Sequence, residues 1–249
     1  NYDDDSIAGF SQTHLNGTGV PDLGDIRMLP FNQNLQGKRF FCRYERETQV
    51  AMPGYYSVKL ADMNIDVELT VTERTAMHKY TFNQPGEANL LLDLQNGLVF
   101  NSKNIRYRVL EGEVEMLDNK TIAGYNRVRG WVARYFYYMI VFDRPYTVKK
   151  ELPQEEGEKA KRFILEFDLK EGESVQVRVA LSTVGIEGAK MALDKENPGW
   201  NFESIKAETN GKWNDMLSLA EVEGTEEEKM NFYTSMYHLF IQPTNIADI

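Results

Sequence analysis

The densest grouping of residues able to handle a polar ligand lies near the start of the chain, in Gly9-Phe10-Ser11-Gln12-Thr13-His14-Leu15-Asn16-Gly17-Thr18-Gly19. Small residues, hydroxyls, an amide and an imidazole stand together there, and the glycines permit close approach of the backbone to a ligand. The segment is no dinucleotide fingerprint: Asp22 occupies the place of the third glycine in Gly17-x-Gly19-x-x-Gly, and no strand pattern precedes it. Taken alone, these residues leave two readings open, a tight loop whose His14 satisfies backbone carbonyls, or a ligand site.

The remaining reactive residues are scattered. His78 sits in a strand-like stretch and His238 beside Tyr237 in a helical one, and neither has a metal-ligand partner four residues on, so zinc is not expected and packing roles are. Cys42 lies in an apolar stretch and reads as a buried, inert thiol rather than a nucleophile. A glycosidase needs two carboxyl groups facing each other across a sugar, but the acids here have plainer explanations. Glu155, Glu156 and Glu158 fall in a Lys-rich stretch that reads as a solvated loop, and Glu226 to Glu228 suit a helix N-terminus. Asp22 and Asp25 are acids near the glycine loop, and no acid and base pair is assigned.

The elements that must position these residues follow from composition and periodicity. A chain of 249 residues, 42% of them hydrophobic, can bury a sizeable core. A net charge of −10 with a pI near 5.0 argues against nucleic acid, which is bound by clustered Lys and Arg. No apolar run approaches the ~20 residues of a membrane span, the longest candidate being Tyr135 to Phe142. No signal peptide is visible in Asn1 to Asp5, although a mature or truncated chain could have lost one. Apolar residues alternate at Ile65, Val67, Leu69 and Val71, at Ile105, Tyr107 and Val109, at Phe163, Leu165 and Phe167, and at Val175, Val177, Val179 and Leu181. That is the period of half-buried strands. Gln84-Pro85-Gly86, Asp118-Asn119 and Asp143-Arg144-Pro145 supply turns between such runs, so an antiparallel β-sandwich is expected.

The pattern changes after Leu193. Glu196-Asn197-Pro198-Gly199 breaks it, and Ile205, Trp213 and Leu217 then recur at multiples of four, predicting a helix weakened by Gly211. A second helix is signalled by a capping box, Thr225 with Glu228, followed by an apolar stripe of Tyr233, Met236, Tyr237 and Phe240 and ended by Pro243. A helix with so apolar a face needs a partner, so the chain is expected to be a piece of a longer protein.

The ordered motifs resemble those of the calcium-dependent exo-α-mannosidases of glycoside hydrolase family 92. They are Gly9 to Gly19, then Asp22 to Asp25, Pro53-Gly54-Tyr55-Tyr56-Ser57-Val58, Thr72 to Arg74 with His78, Pro198-Gly199-Trp200 before Trp213 and Leu217, and Phe232-Tyr233-Thr234 leading to Tyr237-His238 and Pro243. The resemblance implies a mainly β fold, an antiparallel sandwich followed by a helical linker and the first helix of an (α/α)6 barrel. Residues 1–195 would be the sandwich, lacking its first strands, 196–224 the linker, and 225–249 the start of the catalytic domain.

It further implies part of an inverting, exo-acting α-mannosidase, with α-1,2 specificity among the options, that trims N-glycan or yeast-mannan-type glycans outside the cytoplasm of a bacterium, in the periplasm, at the surface or secreted. The calcium ligands, general acid and general base would lie in the rest of the same enzyme, and this segment alone would be inactive. Gln12, Thr13, His14, Asn16 and Gly17 would complete the sugar pocket. Gln12 stands where relatives often carry His or an aromatic residue, and Asn16 where Ser is usual, which bears on the linkage cleaved. The alternative, a carbohydrate-binding sandwich without hydrolytic role, has no need of the helix from Thr225 to Phe240. Asn16-Gly-Thr and Asn119-Lys-Thr match a glycosylation sequon, expected to be unused in a bacterial protein.

Overall fold

The computed structural model describes residues 5–13, 23–32, 40–96, 108–130, 133–241 and 247–248. The strands are β1 (Ser6–Ile7), β2 (Arg27–Phe31), β3 (Cys42–Met52), β4 (Tyr55–Leu60), β5 (Ile65–Val71), β6 (Thr75–Phe82), β7 (Ala88–Asp93), β8 (Val109–Met116), β9 (Thr121–Arg129), β10 (Ala133–Phe142), β11 (Tyr146–Glu151), β12 (Arg162–Phe167) and β13 (Ser174–Ser182). Three helices follow, α1 (Ile186–Glu196), α2 (Phe202–Leu217) and α3 (Glu226–Phe240). Among the described residues, nine strands form one sheet in the order β1-β3-β4-β5-β6-β13-β10-β9-β8, and four form a second, β11-β12-β7-β2. All pairings are antiparallel.

One core lies between the sheets, where Ile65, Val67, Tyr80, Tyr138, Phe142, Val175 and Val177 of the large sheet meet Met28, Leu90, Leu92, Phe163, Leu165 and Phe167 of the small one. The strands expected over 65–71, 163–167 and 175–181 are present, and alternation places Ile65, Val67, Val175, Val177 and Val179 fully inside. It does not carry to the strand ends. Leu69 and Leu181 are only half-buried and Val71 is 39% exposed. Thr70 is buried instead, because its hydroxyl donates to Gly54 O at 2.8 Å where α2 packs on the sheet. The proposed run at Ile105 and Tyr107 lies outside the described residues, and Val109 opens β8.

The change to helix comes at Ile186, earlier than the break after Leu193 that periodicity suggests. The inward face of α1 is Ala189, Ala192 and Leu193, which reads as weakly apolar in sequence but fits closely over Ala123, Met139 and Ala180 on the outer face of the large sheet. Its N-cap, Gly185, makes no side-chain cap bond, so the usual start signal is absent. α2 is capped by Asn201, whose side chain accepts from Ser204 N at 3.1 Å, and it runs through Gly211 without a break, docking through Phe202 and Thr209. α3 starts at the Thr225–Glu228 capping box as expected. Tyr233, Met236, Tyr237 and Phe240 form its half-buried side, with Tyr237 edge-on to Trp213 of α2 at 4.8 Å between centroids.

Candidate functional site

The segment before β2 is laid against the small sheet by a two-way bridge, Phe10 N to Met28 O at 2.8 Å and Met28 N to Phe10 O at 2.9 Å. Gly9 makes this approach possible. At its φ of +145° a Cβ would lie 2.6 Å from Arg27 Cγ and 2.8 Å from Met28 O. Thr13 then ties the outgoing chain to the returning one. Its carbonyl accepts from Gly24 N at 2.9 Å, while its Oγ1 accepts from Gly24 N at 3.1 Å and Asp25 N at 3.2 Å.

Asp25 anchors this junction. Its buried carboxylate accepts from Arg108 Nη2 at 2.6 Å and from Arg134 Nη2 at 2.7 Å, and Arg108 also donates to Leu23 O. Around it, Leu23 (φ 60°), Gly24 (φ 73°) and Ile26 (φ 57°) all adopt left-handed backbone. For a β-branched residue such as Ile26 that is an uncommon state costing about 1–3 kcal/mol. Burial of the Ile26 side chain, 1% exposed, and the ion pairs of Asp25 offset it.

Gln12 sits over the interior of the large sheet. Its Nε2 is 2.9 Å from His78 Nε2, and His78 Nδ1 is 2.6 Å from the Tyr80 hydroxyl. His78 and Tyr80 share one face of β6, both buried, and burial pushes the imidazole down to about 3, so that the ring is neutral. Of the site residues expected from sequence, the structure therefore places Gln12 on His78 and Thr13 on Gly24 and Asp25. His14, Asn16 and Gly17 lie outside the described residues.

The other candidates fall elsewhere. Cys42 is buried, and desolvation with the nearby Asp62 charge pushes its thiol up to about 12. His238 is exposed on α3 beside Tyr237. Glu158 is not the solvated acid expected: its side chain is 4% exposed, accepting from Arg162 Nη2 at 2.8 Å and from Glu155 N at 2.8 Å. A cleft of ≈ 340 Å³ among Leu94, Gly112, Asn126, Tyr138 and Lys159 is lined by none of the loop residues. Asp25, Arg108, Arg134 and His78 were missed as parts of the loop's support. Only Asp25 and His78 carried a signal, by standing in recognisable motifs.

A model of the glycosyl hydrolase family 92 N-terminal domain matches residues 1–182. The chain belongs to glycosyl hydrolase family 92. A model of the catalytic domain of family 92 matches residues 188–249. Among solved structures, the family 92 α-mannosidase BT3965 from Bacteroides thetaiotaomicron superposes with a TM-score of 0.85 at 29% identity, covering 99% of this chain and 36% of its own. The inverting mannosidase BT2199 of the same organism shares the fold, with a TM-score of 0.81 at 21% identity over 97% of this chain and 33% of its own. A secreted glycosidase from Arthroderma benhamiae is 24% identical over 96% of this chain and 35% of its own. The chain thus spans about a third of the length of these relatives.

Several family 92 motifs join the sandwich to its helices. Gly54 of Pro53-Gly54-Tyr55 abuts Thr209 of α2, and Tyr55 lies under Lys206 Nζ at 3.8 Å from the ring centroid. Thr72 and Arg74 both bond Glu196 at the end of α1, and Trp200 lies under Arg178 at 4.3 Å. As for calcium, no group of three or more His, Cys, Asp or Glu able to hold a metal ion exists among the described residues. These residues do not fit a metal centre.

Proposed function

We propose that this chain is part of an exo-acting α-mannosidase that works with inversion, and that its loop at residues 12–17 completes the pocket for a terminal mannose. The observation that carries this reading is the 29% identity to an α-mannosidase over 99% of the chain. The anchored loop stem supports the positional part. Thr13 is held to Gly24 and Asp25, so Gln12 and Thr13 keep a fixed place from which to meet a sugar.

An inverting glycosidase uses one protonated carboxyl to assist the leaving oxygen and one carboxylate to activate water, about 6.5–9.5 Å apart. The sandwich contributes positioning, not these groups. Calcium dependence, a requirement for the rest of the enzyme as partner, N-glycan or yeast-mannan-type substrates and a location outside the cytoplasm belong to the same proposal. The fungal relative is a secreted glycosidase, which supports the last of these. No described helix is long and apolar enough to cross a membrane.

The test compares residues 1–249 alone with the complete enzyme, using an aryl α-mannoside with calcium. The segment is expected to release nothing, and the complete enzyme to release mannose of inverted anomeric configuration, losing activity to a chelator and regaining it with calcium. Turnover by the repurified segment, retention of configuration, or indifference to the chelator would each overturn the corresponding part.

A further inference from the structure

Three tyrosines stand together on the outer face of the large sheet. Tyr125 of β9 pairs with Tyr137 of β10, and Tyr135 is the next outward residue along β10. Their ring centroids lie 5.8 to 6.3 Å apart. The patch is open to solvent: Tyr135 is 40% exposed, and Val184, two residues past the Ser182 that pairs with Tyr137, is 72% exposed. It continues a seat that is already occupied. Ala123 and Met139, the next pair on the same face of β9 and β10, are covered by α1. Beyond α3 the chain returns to this end of the sheet. Arg74 Nε donates to Ala247 O at 3.0 Å, and Asp248 accepts from Thr183 N at 2.8 Å and from Thr183 Oγ1 at 2.7 Å. Thr183 stands between Ser182 and Val184, so the segment matched by the catalytic-domain model is fastened beside the tyrosines.

We propose that Tyr125, Tyr135, Tyr137 and Val184 seat the part of the catalytic domain that follows Ile249. The proposal rests on the reading of this chain as part of a longer family 92 enzyme, its relatives being proteins of which it spans about a third. Aromatic side chains with an arginine at the centre and charges at the rim, here Arg127 and Glu111, are the composition of a protein interface. A joined apolar patch of this kind marks a surface that another element covers. A sugar fits less well, since it needs a free ring face on which to stack. The Arg127 guanidinium lies over the ring of Tyr135 at 5.6 Å and Tyr137 lies alongside it at 16°, so the patch offers ring edges instead. The seat also has a use. Arg134, the neighbour of Tyr135, bonds Asp25 at 2.7 Å, so a domain docked here is held in fixed relation to the stem that carries Gln12 and Thr13.

The experiment is hydroxyl-radical footprinting of the complete enzyme, read by mass spectrometry. Val184 is 72% exposed here, against 43% for Val148 of β11 and 42% for Val50 of β3, so an open patch makes Val184 the fastest of the three to label. A seated patch reverses that order: Val184 is expected to label more slowly than both, with Tyr135 protected likewise, at every protein concentration and without added glycan. Tyr135→Lys is expected to restore the labelling of Val184 and to lower the melting temperature. At an open surface position it would change neither, and that result overturns the proposal. Should the variant not fold, the footprint of the unaltered enzyme decides alone. Val184 labelling fastest in an active enzyme overturns the proposal and leaves the family reading standing. Protection lost on dilution means that a second copy covers the patch, and protection that appears only with added mannan means that a glycan does; either overturns it. A natural product with only the 28.7 kDa of residues 1–249 removes the longer enzyme and the proposal together.

Discussion

Gly54 and Thr209 are packed so closely that a Cβ on Gly54 would lie 2.4 Å from Thr209 Cγ2. The tip of the β3–β4 hairpin thus forms the seat for α2, while Thr209 Oγ1 donates to Val71 O and Thr70 Oγ1 donates to Gly54 O at 2.8 Å. Gly54 also has φ +79°, where a side chain is strained.

Gly54→Ala is therefore expected to destabilise the chain by about 2–4 kcal/mol, combining backbone strain with overpacking. Urea unfolding measures it. Adding Thr209→Ser removes the opposing methyl and keeps the hydroxyl, so the double variant should recover part of the loss. No recovery would mean that the cost is backbone strain alone.

Asp25 offers a second test, since it neutralises Arg108 at 5% side-chain exposure and also meets Arg134. Asp25→Ala removes one carboxylate from the buried Arg108 guanidinium, and breaking a buried ion pair from one side costs up to about 3–5 kcal/mol. The same change loosens the Thr13 junction, so amide exchange at Gly24 should rise more than exchange in β13. Equal acceleration at both places would show global destabilisation only.

Glu196 makes stability depend on acid. Burial alone would raise its carboxyl, but hydrogen bonds from Thr72 and Arg74 outweigh that and hold it below its ordinary 4.5. A depressed folded value means that the unfolded chain binds the proton more readily. The contribution is complete above the ordinary value and is lost as pH falls below 4.5 through the folded value. Glu196→Gln should flatten the stability profile in that window and cost about 1–3 kcal/mol at neutral pH. Parallel profiles for the two proteins would remove Glu196 as the acid-sensitive joint.

Much of this was legible locally. Thr225 and Glu228, three apart, start α3 as a capping box because the partners of each bond are sequence neighbours. Val175, Val177 and Val179 point inward because strand geometry sends alternate side chains to one face. α1 was not legible. Its alanines become an apolar face only against Ala123, Met139 and Ala180 of β9, β10 and β13, and that match is made across the sheet. The strand ends misled for a similar reason, Val71 being exposed where the sandwich stops and Thr70 buried where α2 arrives.

From sequence alone came the sandwich, the last two helices, the ordered family motifs and the loop rich in polar side chains near the N-terminus. Periodicity, capping and turn chemistry act over a few residues, and such signals survive without a fold. The tertiary structure decided which partners those residues meet. Gln12 finds His78 and Thr13 finds Asp25 through strand order and register, and Glu196 finds Arg74 only because α1 lies across the β5–β6 turn. Hydrogen bonds and ion pairs of this kind depend on positions good to a few tenths of an ångström. Packing sets such positions, and residue type does not encode them.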